Sequence, residues 1–519
     1  MSKSRMQNVI MNLTSGFAYR ILITVTSFIV RTVFIKCIDE VYLGVNGLFS
    51  NILSMLSLTE LGFGTAMVYS MYKPLADGDM KTLSQLMRLY RKVYTIIGTV
   101  ILVLRLGLIP FMDYLIKDKP DIEYLTVYYV MFLLNTVMSY WFFAYRTSIL
   151  QADQKAYVLS GYNCVFNLIK SVLQIIMIAV FKLYFLYLAT QILCTVAQNI
   201  FIAVRVKKEY PVFISDVPPL PKENKRSIFQ DVKALMLQKI SFTVLNSSDS
   251  LIISAFVGIG WVGLLSNYCM LEEAVTGVLC QITAALTASL GNYFAKENRD
   301  DGYVLFRRVD FLSFWLYGFS LVAMITLFNP FVTLWIGEDY LLSQAAVVAL
   351  SVRFFVAGFM NTVSTFRSTL GLFTQGKYRP LLAAGLNILL SIILSYKFGI
   401  VGVLAATSIT RLCVNMWYSA WIIHRDGFHK SVKKYYLDYL LRILLLAVVT
   451  VGVVFLSRLI IGEHVTVLSF ILAMLLTAIL PNAVFAAVFF RRDEFKYFVS
   501  LVKGLFGRIR THFSGKAAN

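Results

Sequence analysis

From about residue 15 to residue 490 the chain returns repeatedly to apolar runs of roughly 20 residues. That is the length an α-helix needs to cross the hydrocarbon of a bilayer. Spans are expected near 15–38, 42–71, 93–111, 124–145, 157–181, 183–204, 235–257, 262–293, 309–329, 343–366, 380–397, 399–423, 437–460 and 465–490. Hydrophobic residues make up 58% of the 519 and charged residues 15%, with a mean hydropathy of +0.72. A soluble chain carries about a quarter charged residues. The first run follows Lys3 and Arg5 as a signal peptide would, but its length and its two arginines read as an uncleaved first helix. The fold class is therefore an all-α polytopic membrane protein of about fourteen transmembrane helices.

Placement of charge gives the orientation. The net charge of +20 resides mostly in short loops that, with the N-terminus inside, all fall on the cytoplasmic side. The opposite loops carry acids: Asp39 and Glu40, then Asp113, Asp118, Asp121 and Glu123, then Glu338 and Asp339. One missed span would invert this pattern downstream, so both termini are expected in the cytoplasm. Because the basic residues form no domain interleaved with aromatics, nucleic acid is not an expected partner. The six cysteines lie in or beside apolar spans and the four histidines are scattered, so no metal site is expected.

The segment 207–234 contains Pro218, Pro219 and Pro221 followed by mixed charges, and reads as a cytoplasmic linker. It separates residues 1–206 from 235–424, and the two resemble each other. Arg146-Thr147-Ser148 leads to Lys155-Ala156-Tyr157 as Arg367-Ser368-Thr369 leads to Lys377-Tyr378. Leu89-Tyr90-Arg91-Lys92-Val93 parallels Leu305-Phe306-Arg307-Arg308-Val309, and Leu48-Phe49-Ser50-Asn51 parallels Leu264-Leu265-Ser266-Asn267. Six spans per copy, an even number, give parallel repeats around an axis along the membrane normal, with a cavity expected between them. Residues 425–490 add two further helices, and 491–519 form a basic, aromatic cytoplasmic tail suited to an anionic leaflet.

Arg20, Thr24, Ser27 and Arg31 follow spacings of 4, 3 and 4, which puts them on one face of the first helix. The corresponding positions of the seventh span are Lys239, Thr243, Asn246 and Ser250. A cation inside the membrane costs about 2.5–3.5 kcal/mol or more, so it usually faces a wet cavity or a partner. Arg20 and Lys239 lie near enough to the interface to snorkel instead. Arg353 sits deeper and joins the candidate cationic cavity; Lys170 and Arg411 stay unassigned between cavity and structural pairing. Among the few intramembrane acids, Asp249 follows Asn246-Ser247-Ser248, an oxygen-rich patch suited to a proton or Na⁺, or to neutralising a cation. Glu60 and Glu273 are further ion-coupling candidates, although Glu60 lies among small residues that favour a local packing role. The sequence holds no phosphate loop, metal motif or nucleophile elbow, and the external loops are short, so no enzyme is expected.

Leu43-Gly44-Val45-Asn46-Gly47-Leu48-Phe49, Leu56-Ser57-Leu58-Thr59-Glu60-Leu61-Gly62-Phe63-Gly64 and Tyr72-Lys73-Pro74-Leu75-Ala76 resemble the start of Wzx-type polysaccharide flippases. These belong to the multidrug/oligosaccharidyl-lipid/polysaccharide exporter (MOP) superfamily. Asp249-Ser250-Leu251-Ile252-Ile253-Ser254 with Val262-Gly263 and Ser266-Asn267-Tyr268 is similar to that family's seventh and eighth helices. The resemblance implies two six-helix bundles around an alternately opened cavity. It also implies flipping of a polyprenyl-diphosphate-linked oligosaccharide from the inner to the outer leaflet of a bacterial cytoplasmic membrane. The diphosphate would be attracted by Arg20, Arg31, Lys239 and Arg353, and the extra helix pair would hold the lipid tail. Asp249 would match a carboxylate that contributes to a cation site in some relatives, giving Na⁺ or proton coupling and no other cofactor. Ser250 stands where a second cation opposite Arg31 would be expected, which argues against a two-cation clamp at that level. Membrane lipids and other polysaccharide-assembly proteins complete the expected partners. The alternatives are a cation-coupled multidrug exporter of the same superfamily, a membrane polysaccharide polymerase and a non-transporting assembly scaffold. The candidate cavity leans basic, which suits cationic drugs poorly, and a polymerase needs a larger external loop.

Overall fold

A computed structural model of the chain describes residues 5–38, 40–56, 63–116, 122–210, 218–221, 228, 243, 247–294, 299–370, 372, 376 and 378–500. Among these residues the structure is helical throughout, with short turns and no strand. The chain is an all-α, multi-pass membrane protein. Among the described residues, nine helices are long and apolar enough to cross a bilayer. One of them, Arg379–Phe428, runs 50 residues and takes in both spans expected at 380–397 and 399–423. It breaks at Gly399, whose φ of +55° and ψ of −133° are open to glycine and strained for other residues.

Two compact units emerge, Met1–Asn267 with Pro380–Val403 and Tyr268–Arg379 with Leu404–Asn519. The first contains α1 (Arg5–Cys37), α2 (Glu40–Leu56), α3 (Phe63–Asp77), α4 (Met80–Leu106), α5 (Leu125–Trp141), α6 (Ala156–Phe181) and α7 (Tyr184–Glu209). It also holds α8 (Ser247–Val257) and the start of α9 (Ile259–Phe294). Helix α1 packs along α6, α6 along α7, and α5 against α4 and α7. Ile21, Val25 and Ile29 of α1 and Ile169, Val172 and Ile176 of α6 point outward, as a lipid-facing surface requires when each helix satisfies its own backbone.

The placement of α8 and early α9 in this unit has a backbone cause. A Cβ on Gly44 would lie 2.6 Å from the carbonyl oxygen of Ile259, and one on Gly263 would lie 3.0 Å from the amide nitrogen of Gly44. Helices α2 and α9 thus meet backbone to backbone, a contact that small residues permit in membranes. At one end of the unit Lys155 pairs with Glu209 (2.5 Å) and Asp153 (2.7 Å) and donates to the Tyr210 hydroxyl (3.1 Å). Burial opposes the ammonium charge there, but its hydrogen bonds to Asp153, Glu209 and Tyr210 prevail and hold Lys155 above the usual lysine range.

The second unit is organised by α10 (Arg299–Ile336), which packs on α11 (Gln344–Thr369), α13 (Lys433–Ile461) and α14 (Val467–Phe489). The break-containing helix α12 (Arg379–Thr410) leads into it through a π-helical turn at Arg411–Met416. Gly358 of α11 lies flat on Tyr317 of α10, so close that an added Cβ would stand 2.1 Å from the ring. Helix α14 begins in a reciprocal cap between Thr466 and Ser469. A charge cluster binds α13 and the turn after α14 to α10. Arg442, 4% exposed, reaches Asp310 (3.1 Å) and Asp438 (2.5 Å), Arg492 reaches Asp438 (2.5 Å), and Arg307 reaches Glu494 (2.5 Å). The Tyr435 hydroxyl donates to Asp310 at 3.0 Å.

Candidate functional site: polar helix faces and an apolar groove

The polar face of α1 turns into the first unit, away from exposed Ile21, Val25 and Ile29. Thr24 satisfies its hydroxyl on the Arg20 carbonyl (2.9 Å), so the stripe stays helical while its polar groups line one side. Arg31 donates from Nη2 to Ser266 Oγ at 2.5 Å, and Ser266 in turn donates to the Gly263 carbonyl at 2.6 Å. Next to Ser266, Asn267 is fully buried and makes no side-chain hydrogen bond among the described residues. Tyr184 and Tyr187 lie within the electrostatic reach of Arg31. They stack on each other at 5.8 Å and meet Phe34 edge-on at 5.8 and 5.5 Å.

Facing α1 are amides that the sequence reading passed over. On α6, Asn163, Asn167, Lys170 and Gln174 repeat the 4, 3, 4 spacing of α1. The side chains of Tyr19 and Asn167 hydrogen-bond across the α1–α6 contact. Asn163 accepts from Gln198 (2.7 Å), Asn135 accepts from Thr195 (2.9 Å), and Asn199 donates to the Ser139 carbonyl (3.3 Å). The contacts among α1, α5, α6 and α7 are therefore rich in amides and hydroxyls, with Arg20 and Arg31 on α1 and Lys170 on α6. The signal that finds them is the repeated spacing on α6, which charge counting alone does not detect.

A second polar knot lies in the same unit. Asn51 Nδ2 donates to Ser250 Oγ (3.0 Å), and Ser248 Oγ donates to Asn387 Oδ1 (3.2 Å). Between these serines Asp249 is buried, 2% exposed. One helical turn beyond Asn387, Ser391 is fully buried, and its hydroxyl has no partner among the described residues. Oxygen-rich surroundings of this kind suit a hard monovalent cation or a proton. Helix α8 ends in a π turn, with the Gly258 amide donating to the Ile253 carbonyl at 2.8 Å; such turns often mark functional sites.

The remaining candidates are placed as follows. Arg353 is an ion-pair member: it reaches Glu272 at 2.7 Å and Cys269 Sγ at 3.8 Å, within the second unit. Arg411 donates to the Arg353 carbonyl at 3.3 Å. Glu273 is exposed on α9, and Ser27 and Thr243 are half-buried in helix. Lys239, Asn246 and Glu60 lie outside the described residues. Ser250, the repeat counterpart of Arg31, meets Asn51 while Arg31 meets Ser266.

The second unit contributes an apolar groove of about 600 Å³ between α10, α11, the π turn after α12, and α13. Leu321, Val352, Phe355, Leu446, Ala447 and Phe455 line it, with Gln344 and Arg458 among its few polar lining residues. Arg458 lies toward the C-terminal end of α13, so the groove has a cation at one end and hydrocarbon along its length.

No family model matches the sequence, and no curated protein is similar to it in sequence. Solved structures do match. The lipid II flippase MurJ in an inward closed conformation superposes with a TM-score of 0.67 at 15% identity, covering 92% of this chain and 99% of that one. The fold is that of the MOP-superfamily transporters. An inward-facing multidrug resistance MATE family transporter of the MOP superfamily gives a TM-score of 0.59 at 14% identity over 80% of this chain and 96% of its own. A MOP-superfamily transporter from Pyrococcus furiosus, for which reversed pocket polarity suggested a different function, gives 0.55 at 14% identity over 81% and 95%. The MOP fold accounts for nearly the whole chain.

Proposed function

We propose that the chain is a flippase that carries a polyprenyl-diphosphate-linked oligosaccharide, a cell-surface polysaccharide repeat unit, from the inner to the outer leaflet of a bacterial cytoplasmic membrane. The observation that carries this reading is the apolar groove beside α13, about 600 Å³ with Arg458 at one end. A transporter of small soluble drugs has no use for a hydrocarbon-lined trough of that size, whereas a lipid tail gains from remaining in one. The longer overlap with the lipid II flippase than with the MATE transporters supports the same reading. In this proposal both termini are cytoplasmic, and two six-helix repeats alternate in opening. A sugar head group moving through bare hydrocarbon would lose hydrogen bonds worth several kcal/mol each. The amides of α5, α6 and α7 replace those bonds, and Arg20, Arg31 and Lys239 draw in the diphosphate. Because Arg353 is held by Glu272, it would act on substrate only when that pair opens. Asp249, with Ser248, Asn387 and Ser391, would take the coupling Na⁺ or proton. Polysaccharide-assembly proteins would supply and receive the substrate.

The test is reconstitution. In proteoliposomes loaded with a fluorescent polyprenyl-diphosphate oligosaccharide, the protein is expected to expose inner-leaflet lipid to an external quencher. Arg20→Ala with Lys239→Ala is expected to abolish this while the protein still inserts. Efflux of cationic dyes without lipid movement would falsify the flippase reading and favour the multidrug exporter.

A further inference from the structure

The apolar groove has a second end, opposite Arg458. Phe359 of α11 and Tyr439 of α13 both line it and lie ring to ring at 4.2 Å. Along α13 they stand roughly 28 Å from Arg458 at 1.5 Å per residue, close to the ~30 Å thickness of a hydrocarbon core. Met416, another lining residue, leads directly into Trp417, whose carbonyl accepts from the Tyr436 hydroxyl one turn before Tyr439. Trp417 and Tyr418 therefore stand at this far end.

Arginines gather there, all within the second unit. The guanidinium of Arg379, at the start of α12, lies 3.6 Å from the centre of the Tyr418 ring and 4.8 Å from that of Trp417. Gly376 backs the same tyrosine: a Cβ there would stand 2.5 Å from the ring. Arg367, near the end of α11, and Arg425 are within the electrostatic reach of Tyr418, and Arg367 is within that of Arg379 as well. Asp426 balances Arg425 at 2.5 Å. No carboxylate among the described residues pairs with Arg379, and its Nε is buried without a hydrogen-bond partner. In the first unit the counterpart stretch is neutralised, with Lys155 held by Asp153 and Glu209.

Stacking takes up the flat face of a guanidinium and leaves its N–H fork pointing outward in the plane, the edge that receives a pair of phosphate oxygens. Trp417 and Tyr378, 47% and 65% exposed, are aromatic residues of the kind that sit at headgroup depth. We propose that Arg379, with Arg367 and Arg425 around Tyr418, is a loading site that receives the diphosphate of the lipid-linked substrate while its tail lies in the groove. The inference rests on the flippase reading and deepens it: in the orientation proposed there, this end of the groove is the cytoplasmic mouth. A loading site holds substrate before translocation, so its loss raises the concentration needed for half-maximal flipping and spares the maximal rate.

The test measures flipping against the concentration of fluorescent polyprenyl-diphosphate oligosaccharide in phosphatidylcholine proteoliposomes of the full-length protein. Arg379→Gln and Arg379→Met are expected to raise the half-saturating concentration at least tenfold with the maximal rate within threefold. Arg379→Lys, which keeps the charge and loses the fork, is expected to raise it severalfold. Lys207→Gln, which removes an exposed cation at the end of α7, is expected to stay within twofold. A reduced maximal rate at unchanged half-saturation in the neutral variants would make Arg379 a structural residue and overturn the assignment. On the wild-type protein, polyprenyl diphosphate is expected to shield Arg379 from phenylglyoxal, read by mass spectrometry, and absence of shielding overturns the assignment even where the variants fail to fold. Equal shielding by phosphatidylglycerol or by inorganic pyrophosphate would assign the site to a membrane lipid or a free anion, and the loading role fails. In each of these cases the flippase reading survives; if wild type flips no polyprenyl diphosphate at all, both fail together.

Discussion

Asp249 lies among oxygen-bearing side chains of the first unit, with Ser247 and Ser248 before it, Ser250 after it, and Asn387 within reach of Ser248. If this knot holds the coupling ion, Asp249→Asn removes the charge and keeps the shape. Lipid flipping driven by a Na⁺ or proton gradient is then expected to fall at least tenfold, with thermal stability little changed. Undiminished gradient dependence in that variant would exclude Asp249 as the coupling group. The α1 stripe was legible residue by residue, because charged and hydroxyl groups stand out against an apolar run and their spacing fixes a shared face. The matching stripe on α6 was harder to see: Asn163, Asn167 and Gln174 add no charge, and only Lys170 marks it. Partners across helices were not legible at all. Arg31 finds Ser266, 235 residues away, and not its repeat counterpart Ser250.

At the level of helices, hydropathy located the nine helices that are long and apolar enough to cross a bilayer among the described residues, since a bilayer allows few alternatives to an apolar helix of fixed length. What it could not supply was how helices grip one another. The Gly44–Gly263 crossing and the flat seat of Tyr317 on Gly358 depend on backbone approach, which composition does not encode. The charge cluster on α10 and α13 is a similar case, with Asp310 and Arg442 separated by 132 residues. Removing one member of a buried pair leaves its partner uncompensated, at a cost of about 3–5 kcal/mol. Arg442→Met is therefore expected to lower the melting temperature in detergent markedly. Asp310→Asn added to it is expected to recover part of the loss, and a purely additive double variant would show that the two side chains are not coupled.

Across the whole molecule, the apolar groove was invisible in the sequence because residues facing lipid and residues lining an apolar trough obey the same composition rule. Ala447→Trp narrows that trough. Flipping of a long-tailed substrate is expected to fall at least tenfold, while binding of a short-tailed diphosphate analogue stays within threefold; equal losses for both would show that the groove does not hold the tail. The charge cluster also bears on how the chain is made. Asp310 leaves the ribosome long before Arg442, and Arg492 and Glu494, which complete the set, come last. Glu494 is the partner of Arg307 and Arg492 a partner of Asp438, so the segment after α14 completes the cluster and the final two helices cannot be a passive appendix. Until they are synthesised and docked, Arg307 lacks Glu494 and Asp438 lacks Arg492, and the second half reaches its mature set of ion pairs only after translation has passed residue 494.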